Sequence, residues 1–250
     1  METTGNTILI TGAGTGMGLA AAKAFSRRGN KVIMVARNEE RLHKEAAQLR
    51  GASVFACDIS DTAQVEHLVA YTRENHPDLN WVLLNAGVTK GRRLFDKESV
   101  FSDAVDEVTI NYLSTVRLTE KLVPLLEKKA NSAVIVTTSG VIYAPDTGNA
   151  TYSATKAALH SFIQSARFVL TKRGSAIKWF ELVAPLVDSP FSAHVTSDMK
   201  VSPESVINDL IAGLEADQEE IRPGLSDIIY LAWRDSPEKA LKLVNSATGA

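Results

Sequence analysis

The chain has one cysteine, Cys57, in 250 residues, so no internal disulfide framework can brace it. Cys57 follows an apolar run without a basic neighbour, which predicts an inert core thiol. No apolar run approaches the roughly 20 residues needed to cross a bilayer, and membrane spanning is not expected. The start Met-Glu-Thr-Thr-Gly lacks the charged and apolar regions of a signal peptide, so a cytoplasmic protein is expected. Net charge is only −2, with lysine and arginine scattered, and this supplies no footprint for nucleic acid or an anionic membrane. The histidines at 43, 67, 76, 160 and 194 show no paired spacing suited to a metal. Repeats, low-complexity tracts and linkers are also missing. A small-molecule partner and a single domain over 1–250 are the expectation.

What is present is a rhythm of short valine- and isoleucine-rich runs alternating with longer amphipathic stretches. Strands are predicted at Thr7 to Thr11, Lys31 to Ala36, Ser53 to Cys57, Trp81 to Asn85, Ser132 to Thr138 and Ala176 to Val183, all six buried. Helices are predicted at Gly16 to Arg28, Asp103 to Lys128, Tyr152 to Arg173 and after Pro203. This alternation implies an α/β fold with a doubly wound, mostly parallel, Rossmann-like sheet.

The first strand runs into Thr11-Gly12-Ala13-Gly14-Thr15-Gly16-Met17-Gly18 and then a helix. That order places a pyrophosphate on a helix N-terminus, with Gly12, Thr15, Gly16, Met17 and Gly18 against it. A purely structural glycine turn is the plainer alternative. At the end of the second strand, where an NAD enzyme would carry a carboxylate for the ribose, the residues are Ala36-Arg37-Asn38. Arg37 opposes the dipole of the helix capped by Asn38, so a bound 2′-phosphate would explain it, and NADP(H) is favoured over NAD(H). Otherwise Arg37 is a solvated charge pairing with Glu39 or Glu40. Asp58, with Ile59 beside it, follows the third strand and can accept a hydrogen bond from an adenine amino group, or simply form a turn.

With Asn85-Ala86-Gly87, Asn111, Ser139 and Tyr152-Ser153-Ala154-Thr155-Lys156 added in order, residues 7 to about 190 resemble the short-chain dehydrogenase/reductase family. The resemblance implies strand order 3-2-1-4-5-6-7 in one domain of about seven strands. It also implies that Asn85, Ala86 and Gly87 support the sheet and line the adenine-ribose side, and that Asn111 carries a water linking Lys156 to solvent. Tyr152 and Lys156, four apart, share one helix face, an arrangement suited to an acid/base unit. A nearby ammonium is expected to lower a tyrosine from its ordinary pKa of ~10 by roughly 1 to 3 units. Tyr152 would then exchange a proton with a carbonyl or alcohol oxygen, Ser139 would hold that oxygen, and Lys156 would also bind the nicotinamide ribose.

The family's usual Pro-Gly pair and following threonine are replaced here by Ala184-Pro185 and Ser189. Pro185 removes a backbone donor, so nicotinamide contacts through Pro185, Val187 and Ser189 follow a path of their own. This segment and a helical tail at 226–246 are similar to the bacterial branch named after lipoteichoic-acid D-alanylation operons, the DltE-like oxidoreductases. The polar stretch 188–202 is expected to be a poorly ordered lid in which Phe191, Val195 and Met199 lay an apolar stripe over substrate. Pairing of the helices 103–128 and 152–173 with symmetry mates predicts a homodimer or homotetramer. The rival readings are a non-catalytic NADP(H) sensor or scaffold and a lyase or epimerase, the latter usually with a larger C-terminal domain than the 60 or so residues left here.

Overall fold

Thr7–Thr11 (β1) is buried at every position, the pattern of a strand covered by helices on both faces. A computed structural model, describing residues 1–95 and 99–246, shows how the covering is achieved. Seven parallel strands lie in the order β3-β2-β1-β4-β5-β6-β7, with β2 at Lys31–Ala36, β3 at Ala52–Ala56, β4 at Trp81–Leu84, β5 at Ala133–Ser139, β6 at Lys178–Ala184 and β7 at Glu220–Ile221.

Alternate residues of each strand serve opposite layers. Ile8, Ile10, Leu83, Ile135 and Phe180 pack with α1 (Gly16–Arg27) and α7 (Pro203–Glu215). Leu9, Val82, Leu84, Val134 and Val136 face α3 (Thr62–Asn75), α5 (Ser114–Leu126) and α6 (Ala150–Lys172). Each fully buried aliphatic side chain stabilises the fold by about 1.5–3 kcal/mol. The strand order reverses between β1 and β4, which opens a crevice beyond their carboxyl ends.

Two expectations are corrected, and two further segments gain detail. β3 is half-exposed along its length because it is an edge strand, so five of the six predicted strands are buried rather than all of them. The long helix expected from 103 to 128 is three pieces: α4 (Phe101–Glu107), a π-helical turn at Val108–Leu113, and α5. The wider turn rotates Asn111 inward to full burial, and such turns are frequent at functional sites. The helical tail is two helices, α8 (Leu225–Asp235) and α9 (Pro237–Asn245), because Ser236 is extended and Pro237 cannot continue the first. The segment 188–202 is built on a closed base: Val187 bridges Val201, with Asp188 N donating to Val201 O (2.8 Å) and Val201 N to Leu186 O (3.0 Å). It holds a short 3-10 turn at Pro190–Ser192 in place of a helical repeat.

Candidate active site

A cavity of about 620 Å³ fills the crevice and runs from the glycine turn to the C-terminal helices. At one end, Gly12 and Gly16 have φ of +69° and +52°, and a Cβ on Gly12 would lie 3.0 Å from the Ala86 backbone. Helix α1 begins without a capping side chain and without an acid in its first turn, so its free amides are open to an anion. Gly14, Thr15, Gly16, Met17, Arg37, Asp58, Ile59, Asn85, Ala86 and Gly87 all line this end. Asp58 Oδ1 accepts from Ser60 N (2.9 Å) and Ser60 Oγ (2.7 Å). Asn85 stitches three strand ends together: its amide and that of Ala86 donate to Thr11 Oγ1, and its Oδ1 accepts from Thr137 Oγ1 at 3.3 Å.

Arg37 and Arg41 both reach the cavity wall, and among the described residues neither makes an ion pair. Glu39 is instead within 3.7 Å of His43. Arg41 was not singled out from the sequence. Its signal was available: it follows Arg37 by four residues, in the first turn after the Asn38 cap, and opposes the same dipole.

At the centre, Tyr152 and Lys156 stand one turn apart on α6, with Lys156 Nζ 5.7 Å from the tyrosine ring centroid. Lys156 is 4% exposed and donates to the Thr137 carbonyl at 2.9 Å. Gly87 leaves the room this needs, since a Cβ there would lie 3.6 Å from Lys156 Nζ and 3.2 Å from Asn111 Oδ1. Burial pulls Lys156 down to about 8, against an opposing pull from the Glu181 carboxylate. The expected lowering of Tyr152 is overturned. Desolvation raises its phenol well above the ordinary value, the Glu107 carboxylate adds to this, and a hydrogen bond with Ser139 opposes it without prevailing. The Lys156 ammonium donates to the Thr137 carbonyl and not to the Tyr152 hydroxyl.

Ser139 ends β5 beside this pair and lines the cavity. Asn111 Nδ2 donates to Val88 O (2.9 Å) and Thr155 Oγ1 (3.1 Å), and its Oδ1 accepts from Val88 N (2.8 Å). Its side chain therefore ties the loop after β4 to α6. Cys57 also touches the cavity, where burial first, then Asp58 and Asp61, pushes its thiol up to about 11, as an unreactive thiol requires.

The far end mixes an apolar wall with polar neighbours, among them Asn149, His194, Thr196 and Ser197. Phe191 lies 5.7 Å from the Tyr152 ring, centroid to centroid, and Val195 and Met199 line the same wall. Pro185, Val187 and Ser189 lie along the cavity between these residues and the glycine turn, with Ser189 Cβ 3.2 Å from where a Cβ on Gly16 would be. Leu225 and Ile229 of α8 and Leu243 and Val244 of α9 complete the wall, a role for the tail that the sequence did not suggest. Asn245 pins α9 in place: its Oδ1 accepts from Thr147 N (2.8 Å) and Thr147 Oγ1 (2.7 Å), just before α6.

The chain is similar to known proteins over most of its length. The chain is 34% identical over 228 residues to a Bacillus subtilis (strain 168) protein named uncharacterized oxidoreductase DltE, covering 88% of this chain and 89% of that one. It is 28% identical to a fatty acyl-CoA reductase of Acinetobacter baylyi, covering 94% of this chain and 81% of the relative. In fold it is similar to a short chain dehydrogenase from Burkholderia cenocepacia J2315 solved in complex with NADP, with TM-score 0.85, 22% identity, and coverage of 97% and 98%. Residues 6–200 match the family described as short chain dehydrogenase, and the chain belongs to that family.

Proposed function

We propose that this protein is an NADP(H)-dependent oxidoreductase that interconverts a carbonyl and an alcohol on an apolar substrate, with Tyr152 as the acid/base. The observation that carries the reading is the convergence of Tyr152, Ser139 and Lys156 midway along one cavity, between an anion-binding turn and an apolar wall. The glycine turn and α1 would hold the pyrophosphate, Arg37 and Arg41 the 2′-phosphate, and Lys156 the nicotinamide ribose. Bound there, the nicotinamide supplies the hydride in reduction and accepts it in oxidation.

The residues of the chain do the rest. Ser139 donates to the substrate oxygen and orients it, and Tyr152 passes its phenolic proton to that oxygen as carbon is reduced. The wall of Phe191, Met199, Ile229 and Leu243 excludes water and suits an alkyl or aryl chain. The name of the Acinetobacter relative, a fatty acyl-CoA reductase, agrees with such a chain. We place the protein in the cytoplasm as a homodimer or homotetramer; no helix of the described residues is long and apolar enough to cross a membrane.

The test is turnover of NADPH, followed by nicotinamide absorbance, against aldehydes, ketones and quinones of increasing apolar length. Tyr152→Phe is expected to lower kcat by about 10²–10⁴-fold while cofactor Kd stays within a few-fold. An unchanged kcat removes Tyr152 from the chemistry, and preference for short polar carbonyls removes the apolar substrate.

A further inference from the structure

Asn149 stands at the N-cap of α6, three residues before Tyr152, yet its side chain makes no cap bond. Asparagine is favoured at that position because its amide oxygen accepts from the first helical amides. Here the side chain serves two other neighbours. Its Oδ1 accepts from Thr89 Oγ1 at 3.0 Å, and its Nδ2 donates to Asp146 Oδ2 at 2.6 Å. Asp146 is fixed in turn: its Oδ1 accepts from Gly148 N (2.8 Å), and its own amide donates to Ser153 Oγ (3.1 Å). Thr89, Asp146 and Asn149 are half-buried and line the cavity.

His194 comes to the same place from the segment 188–202. A Cβ on Gly91 would lie 3.3 Å from both Cδ2 and Nε2 of His194 and 3.5 Å from Asn149 Oδ1, so the ring and the amide border one point on the loop after β4. His194 lines the cavity, and among the described residues no hydrogen bond engages its ring. The strand order separates this polar corner from the apolar wall of the C-terminal helices. Thr89 and Gly91 follow β4, whereas Ile229 and Leu243 follow β7, and these two strands lie on opposite sides of β5, which ends at Ser139.

From this arrangement we propose that Asn149 and His194 form a subsite for a neutral group that both donates and accepts hydrogen bonds, an amide or a hydroxyl, on the arm of the substrate away from its apolar chain. The inference rests on the reading of Ser139 and Tyr152 given above. With Thr89 donating to it, Asn149 Oδ1 keeps one lone pair, and with one N–H given to Asp146, Nδ2 keeps the other. His194 adds a ring nitrogen that can donate or accept. A carboxylate matches this set poorly, because the Asp146 carboxylate is bonded directly to Asn149. Lys90 and Arg92 of the adjoining loop are paired with Asp106 (3.1 Å) and Asp103 (2.5 Å). Polar atoms arranged to bond a substrate group reject an analogue that lacks it, since they are then left unpaired.

The test uses four heptyl ketones whose second arm ends in an amide, a hydroxyl, a methyl or a carboxylate. The full chain is expected to reduce the amide and the hydroxyl with kcat/KM at least about tenfold above the methyl and the carboxylate. Binding of the same compounds to protein loaded with oxidised NADP, where no reduction can occur, should rank them alike by calorimetry. Asn149→Leu and His194→Leu should each bring the amide-to-methyl ratio to within about threefold, and His194→Gln, which keeps a donor and an acceptor, should restore part of it. If no ketone is reduced while the ranking in binding stands, the catalytic reading fails and the subsite holds. Equal binding of the amide and the methyl by the wild type, or a ratio unmoved in both leucine variants, overturns the subsite. Preference for the carboxylate overturns its neutral character. Should Asn149→Leu fail to fold, His194→Leu, at an exposed position, decides alone.

Discussion

Gly18 lies against the backbone of Gly12: a Cβ on Gly18 would come within 2.2 Å of the Gly12 oxygen and 2.9 Å of Asn85 Nδ2. The obstacle is backbone at the heart of the turn, so it cannot yield as a side chain would. Gly18→Ala is expected to weaken cofactor binding at least tenfold by forcing the turn open. Gly213 supplies a control, because the nearest atom to its added Cβ, at 2.5 Å, is the Cγ1 of Ile221, a side chain. Gly213→Ala should cost stability, about 1–3 kcal/mol, and leave cofactor affinity alone. Calorimetric titration of the two variants checks this, and equal affinities would dismiss the close approach as unimportant.

Lys156 stands where function and stability oppose each other. Its folded-state pKa of about 8 lies below the ordinary 10.5, so between these values the unfolded chain holds a proton that the folded chain has released. Stability attributable to this residue therefore rises with pH across that window, while below pH 8 the folded state bears the full burial penalty, about 3 kcal/mol. Lys156→Met loses a hydrogen bond to Thr137 O but sheds the penalty, so at pH 7 it should be more stable than wild type by about 1–3 kcal/mol and nearly inactive. The advantage should shrink from pH 8 upward and vanish near 10.5. Urea unfolding at pH 7 and pH 10 measures it, and a variant less stable at pH 7 contradicts the assigned charge. The reductase rate of the wild type should likewise be level below pH 8 and fall above it.

Arg37 and Arg41 are expected to share one anion. Either reversal, Arg37→Asp or Arg41→Asp, should narrow or invert a preference for NADPH over NADH, and the double reversal should add little to the inversion, since both act on the same phosphate. Fluorescence titration with both cofactors decides it. Equal affinity of the wild type for the two would return both arginines to solvent.

The strands were legible because five of their six visible runs are buried on both faces and therefore uniformly apolar, which periodicity finds easily. β7 escaped because Glu220–Ile221 is too short to carry a pattern. Glycines 12, 16 and 18 announced the nucleotide end, and Tyr152 and Lys156 announced their shared face by spacing alone. What spacing cannot express is partnership across the chain. The ammonium of Lys156 was expected to act on Tyr152, yet it turns to a carbonyl of β5. The π-helical turn at Asn111 was invisible for a related reason: 3.6-residue periodicity continues on both sides of it.

Phe101 and Phe168 are 75% and 71% exposed, on α4 and α6, with Val105, Val108 and Val169 also open to solvent. Val105, Val108, Phe168 and Val169 fall on the helices proposed to meet a second copy, whose pairing would cover them. Light scattering at micromolar protein should give twice or four times the mass of one chain, and Phe168→Glu should shift it toward one. A wild-type mass of one chain defeats the assembly.

The bridge between Val187 and Val201 has a consequence for how this enzyme could change its diet. The segment from Asp188 to Lys200 is closed at its base by two backbone hydrogen bonds and tied within by Ser192 Oγ donating to Val187 O, while β6 ends before it and α7 begins after it with its own Ser202 cap. The segment can be lengthened, shortened or exchanged without shifting the register of the sheet or the start of the helix, and doubling a loop costs only about 0.6 kcal/mol in closure entropy. The residues proposed to face substrate from this side, Phe191, Val195 and Met199, are thus carried on one replaceable segment, whereas Tyr152 and Lys156 sit within α6. New selectivity on this scaffold can be acquired in one segment, with the proton chemistry inherited unchanged.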